Sequence, residues 1–84
     1  MVDQIVELEN GENYVILDKT DLDGRIFYYA LRLDDKEQPT KNYLFFEELK
    51  SRNDVYFEPV EDEDTKGALL IAFSINYLNM AYDL

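Results

Sequence analysis

Asp18, Asp21 and Asp23 lead into Gly24 in the stretch DKTDLDG, and clustered carboxylates ahead of a glycine are what a hard cation wants. A calcium loop of the EF-hand kind needs oxygen ligands at its positions 1, 3, 5 and 12, with glycine at 6. Placing Gly24 at 6 puts Asp23 at 5 and Asp21 at 3. Position 1 then falls on Lys19, a cation, and position 12 on Ala30, which has no carboxylate. The flanks are rich in β-formers rather than helical. Asp23-Gly24 therefore reads as a hairpin turn, with glycine supplying the positive φ that such turns use.

Two further acid groups invite a chemical reading. Glu61, Asp62, Glu63 and Asp64 are consecutive, yet neighbouring side chains at a strand-to-helix junction diverge and do not converge on one ion. Their better role is to occupy a helix N-terminus, where free amides and the macrodipole favour negative charge. Glu47 and Glu48 have the makings of an acid and base pair for hydrolysis. On a strand they face opposite sides of the sheet, so they share no cleft. The only serines are Ser51 and Ser74, and without histidine neither has a base of the usual kind. Three dispersed glycines make no phosphate cradle. No catalytic, cofactor-binding or metal-binding residue is assigned, and the chain reads as a non-enzyme.

Eighty-four residues make one domain, spanning 1–84. A chain this short buries only about 60% of its unfolded surface, and many such folds add disulfides or zinc. The absence of Cys and His removes both devices and, with them, thiol and imidazole chemistry. Stability must come from apolar groups, 46% of the chain, including seven Tyr and five Phe. Nineteen acids against eight bases give a net charge of −11, which disfavours nucleic acid and anionic lipid and favours a basic partner. The abundance of aromatic and β-branched residues separates the chain from disordered acidic sequences. The opening MVDQIVELEN has no basic region and no long apolar run, so no secretory signal is expected. GALLIAFSINYLNMAYDL is too polar and too short to span a bilayer, and a cytoplasmic location is expected.

Short β-rich runs succeed one another at intervals of roughly ten residues. They are QIVEL, NYVILD, IFYYALRL, NYLFFEEL and DVYFEPV, separated by turn signals at Asn10-Gly11, TDLDGR, DDKEQPTK and KSRND. Pro39 argues against a central strand through its loop. IFYYALRL alternates most clearly, with Phe27, Tyr29, Leu31 and Leu33 on one face and Ile26, Tyr28, Ala30 and Arg32 on the other. From about Asp62 to Tyr82 the period lengthens to that of a helix. The expected fold is α+β: an antiparallel meander of four to five strands with one C-terminal helix packed on one face.

Several of these features, in this order, resemble the bacterial family called domain of unknown function 1292. They are the strand closing at ENGENYVILD, the Asp23-Gly24 turn before Phe27 and Tyr29, and Phe57-Glu58-Pro59-Val60 running into Glu61–Asp64. Leu69, Leu70 and Phe73 then follow in the helix. The chain departs from the pattern at Gly67 and in the uncharged helix after it. The resemblance implies a small cytoplasmic bacterial protein with no established activity, and it supplies no catalytic residues.

The helix carries more apolar residues than one sheet face requires. Leu69, Leu70, Phe73, Tyr77, Met80 and Leu84 form one stripe, expected against the sheet. Ile71, Ile75, Leu78 and Tyr82 form a second, on a different face. Either a loop or strand edge covers the second stripe, or it is a partner-binding surface, with self-association, as a homo-oligomer, its expected form. Ile26 and Tyr28 would likewise face outward from a sheet whose other side holds the helix. The expected function is a non-enzymatic protein-protein interaction module that binds a protein partner. The alternative is an acidic mimic that occupies a basic, nucleic-acid-binding surface on another protein.

Overall fold

The computed structural model describes residues 4–82, with side chains described up to Ile75. Five strands run in chain order, β1 (Ile5–Glu7), β2 (Asn13–Leu22), β3 (Arg25–Leu33), β4 (Pro39–Ser51) and β5 (Asp54–Pro59), followed by α1 (Glu63–Tyr82). They form a single antiparallel sheet in the order β1-β2-β3-β4-β5, each strand paired with its sequence neighbours. The α+β meander expected from the sequence is the fold.

Turn chemistry explains the connections. Asp23 and Gly24 both have positive φ (55° and 79°), as a two-residue hairpin of type I′ requires, and Leu22 pairs with Arg25 across it. The Asp21 carboxylate caps the turn by accepting a hydrogen bond from the Gly24 amide at 3.1 Å. In the next loop Asp34 Oδ1 accepts from the amides of Lys36 and Gln38, both at 2.9 Å. That loop is shorter than DDKEQPTK suggested. Pro39 starts β4, a strand with neighbours on both sides, because at its first residue a missing N–H costs the ladder least. Strand β2 also runs further than NYVILD, through Asp18 to Leu22, since its pairing with β3 continues to the two-residue turn.

Both faces of the sheet are apolar. Phe27 and Phe45 lie on one, and with Val60, Leu69 and Phe73 they form a buried cluster beneath α1. The Phe45 and Phe73 rings stack at 5.5 Å between centroids and 6° between planes. Tyr14, Ile16, Tyr28, Ala30 and Phe46 form a second buried cluster on the opposite face, flanked by Val6, Leu8, Ile26, Leu44 and Phe57. Tyr28 is 2% exposed and Phe46 is 0%. The expectation that Tyr28 faces outward is thus corrected. Long strands twist, a register shift lies between Ile16 and Asp18, and the sheet curls so that its concave face closes over its own side chains. Phe57 from β5 meets the Tyr28 ring edge-on at 5.7 Å, and Phe46 meets Tyr14 similarly at 5.7 Å. Polar atoms in this core are satisfied: the Tyr28 hydroxyl donates to Glu48 Oε1 at 2.9 Å and that of Tyr14 to Glu12 Oε2 at 3.0 Å. Burial first, and then the Glu48 hydrogen bond, push the Tyr28 phenol up to about 12.

Candidate interaction surface

Helix α1 starts where its cap is. Asp62 Oδ2 accepts hydrogen bonds from the Thr65 amide at 2.8 Å and the Thr65 hydroxyl at 2.7 Å, satisfying a donor that the first turn leaves free. Those bonds hold the Asp62 carboxyl below its ordinary pKa, and the nearby Arg25 lowers it further. Just before the helix, the Val60 amide donates to the Phe45 carbonyl at 2.8 Å, which pins the chain to β4 as it turns onto the sheet. The expected start at Asp62 differs from the observed Glu63 only because a capping residue is half outside its helix.

Arg25 anchors the same corner. Its guanidinium donates from Nε and Nη2 to the two carboxylate oxygens of Glu47, at 2.9 and 2.8 Å, and lies 5.0 Å from the Phe27 ring centroid. The bidentate bond holds Glu47 below the usual carboxylate range and raises Arg25. Glu58 pairs directly opposite Glu47 on β5, and Asp23 and Asp62 are the further acids whose charge acts on the guanidinium. Arg25, Glu47, Glu58, Asp62 and Thr65 line a shallow, mostly polar cleft of about 130 Å³. The like-charged Glu47–Glu58 pair is a cross-strand feature that only the β4–β5 register discloses.

The acids weighed in the sequence separate as alternation requires. Glu47 reaches Arg25 on the helix side, whereas Glu48 reaches Tyr28 on the concave side. Asp18 Oδ1 accepts from the Lys19 amide at 2.8 Å, and Asp21 serves the turn. Among the described residues no group of three or more acidic side chains is placed to hold a metal ion.

Along α1, only part of the first stripe faces the sheet. Leu69 and Phe73 are buried there, but Leu70 is 47% exposed. This corrects its expected packing on the sheet: one residue is about 100° of helix rotation, so Leu70 stands at the edge of a contact centred between Leu69 and Phe73. The second stripe comes out differently. Ile71 is 65% exposed and Ile75 is 51%, so among the described residues neither a loop nor a strand edge covers them. Leu78 and Tyr82 lie beyond the described side chains, as do Tyr77, Met80 and Leu84.

Three neighbours complete the outward face. Asp64 and Gly67 precede Ile71 by seven and four residues, and Ser74 follows it by three, so all lie on one side of the helix. The Ser74 hydroxyl donates to the Leu70 carbonyl at 2.7 Å, which spends its hydrogen bond within the helix. A Cβ on Gly67 would meet nothing within 4 Å. The fold therefore gains no packing from that glycine, which costs a helix interior about 1 kcal/mol relative to alanine. Lys66, the one base in α1, lies 3.6 Å from Glu63.

Among the described residues no helix is long and apolar enough to cross a membrane. No protein-family model matches the chain, and neither the curated proteins nor the solved structures compared with it gave a match.

Proposed function

We propose that this chain is a non-enzymatic protein-interaction module of the bacterial cytoplasm, docking through the outward face of α1. The observation that carries the reading is the exposure of Ile71 and Ile75, at 65% and 51%, on a helix whose opposite side already covers the sheet. Leu70 widens the face, and the sequence continues it through Leu78 and Tyr82. Burying a large aliphatic side chain is worth roughly 1.5–3 kcal/mol, so two or three partly exposed ones make a usable anchor. The order of motifs that resembles domain of unknown function 1292 belongs to the same proposal, since that resemblance implies no catalytic residues.

A second reading, an acidic mimic that occupies a basic surface, draws its support from the net charge of −11 and the exposed acids Glu58 and Glu61–Asp64. The two differ in what they require of Ile71 and Ile75. Immobilised wild-type protein and an Ile71→Glu/Ile75→Glu variant, confirmed as folded by circular dichroism, are compared for the proteins they retain from a bacterial lysate at two salt concentrations. Docking through the helix predicts partners that only the wild type retains. Identical partners on both, lost together at high salt, would leave the mimic.

A further inference from the structure

We propose that the outward face of α1 binds a basic amphipathic helix of another protein, an inference that rests on the docking-face reading above and names the partner's chemistry. The face has two parts along one line. Leu70, Ile71 and Ile75 supply exposed apolar surface, and the exposed acids Glu63 and Asp64 occupy the first turn of the same helix, with exposed Glu61 just before it. Asp62 is spent on the Thr65 cap and Glu63 stands beside Lys66, while Asp64, in the first turn on the side of Ile71, makes no side-chain hydrogen bond or ion pair among the described residues. Gly67 lies between the acids and the isoleucines with open space where a side chain would be, which lets a partner backbone approach closely. Ser74 has turned its hydroxyl onto the Leu70 carbonyl, so it asks no hydrogen bond of a partner.

Charge decides against a second copy of this chain as occupant. Packed antiparallel, two copies would set the acids of one against the segment from Ser74 to Tyr82 of the other, SINYLNMAY, which has no Lys or Arg. Packed parallel, acid would face acid. Lys66 already stands beside Glu63. A helix with apolar residues at three- and four-residue spacing, flanked by Lys or Arg, meets both parts at once. Helix-in-groove and helix-on-helix recognition use this pattern of anchors, with charge selecting the partner and its direction.

The probe is a synthetic peptide of Leu and Lys, about 15 residues long so that the helix can form, with Leu on one face. A Leu/Glu peptide of the same pattern and a scrambled Leu/Lys peptide are the controls. Affinities are measured by calorimetry for the wild type, for Ile75→Glu and for Glu61→Gln/Glu63→Gln/Asp64→Asn, each at low and high salt. Ile71→Ser, at the most exposed position, replaces Ile75→Glu should that variant lose its thermal transition. Saturable binding of the patterned Leu/Lys peptide alone is expected. The isoleucine variant should weaken it about tenfold or more, and the acid variant should flatten its salt dependence. Absence of saturable binding overturns the proposal. Equal binding to the wild type and the isoleucine variant overturns it together with the docking-face reading, because charge alone would then be at work. A wild type that sediments as a dimer, and becomes a folded monomer in Ile75→Glu, overturns the basic partner in favour of a second copy and leaves the docking face standing.

Discussion

Replacing Phe46 by alanine tests whether the concave side of the sheet is a core in its own right. No helix covers that side, and Phe46 is nevertheless 0% exposed, packed with Tyr14, Ile16, Tyr28 and Ala30. Truncating a buried phenylalanine to alanine costs about 3–5 kcal/mol, the transfer energy of the ring plus the cavity it leaves. At roughly 0.05–0.15 kcal/mol per residue, the whole domain has a stability of only about 4–13 kcal/mol. Phe46→Ala should therefore remove a large share of it. Urea unfolding followed by circular dichroism reads this directly; with a slope of about 1 kcal/mol per molar for a small domain, the midpoint should fall by roughly 3–5 M. Phe46→Leu serves where the alanine variant is unfolded in water. It should cost about 1 kcal/mol and lower the thermal midpoint by roughly 4–8 °C. Ile71→Ala, on the outward face of α1, is the control and should change stability by no more than about 0.5 kcal/mol. A loss under about 1 kcal/mol for Phe46→Ala would refute the second core and return Tyr28 and Phe46 to an open face.

Gly67→Ala should stabilise the protein by up to about 1 kcal/mol, read as a higher urea midpoint, because the added methyl meets nothing and the helix propensity improves. Acid should destabilise through Glu47 and Asp62, whose folded-state carboxyls lie below their ordinary values. Their contribution is complete above the unfolded value of about 4 and is lost as pH falls through the lowered folded values. Thermal midpoints from pH 7 downward should show this fall, and Glu47→Gln should make it shallower. In alkali the opposite sign holds for Tyr28, whose phenol is pushed up to about 12. The stability it contributes is complete below the unfolded value of about 10 and is lost as pH rises toward 12; burial raises Tyr14 as well, so phenolate absorbance should show Tyr28 and Tyr14 ionising later than the rest, and Tyr28→Phe should remove one of the two.

Local rules made most of the fold legible. Asp23-Gly24 announces a two-residue turn because both positions need positive φ, and the acid run announces a helix N-terminus because free amides need acceptors there. Alternation in IFYYALRL correctly separates Phe27 from Tyr28. It does not say that both sides are buried, since closure of the concave face depends on twist, on the register shift after Ile16 and on Phe57 arriving from β5. The place of Leu70 is not legible in the sequence for a related reason: helix periodicity gives angles between residues, but the direction of the sheet contact comes from Phe27, Tyr29 and Phe45. The separation of Ile71 and Ile75 from the packed side was legible, because they sit nearly half a turn from Leu69 and Phe73. The Arg25–Glu47–Glu58 corner was not, because it depends on cross-strand register between residues far apart in the chain.

The most direct test of the docking face is to locate binding on the molecule. Uniformly 15N-labelled protein is titrated with the patterned Leu/Lys peptide while amide chemical shifts are recorded. Saturable shifts that peak from Gly67 to Ile75 and extend to the acids at the start of α1 are expected. Shifts that peak instead on the exposed Val55 and Tyr56 of β5, or in the cleft around Arg25, would contradict the docking face.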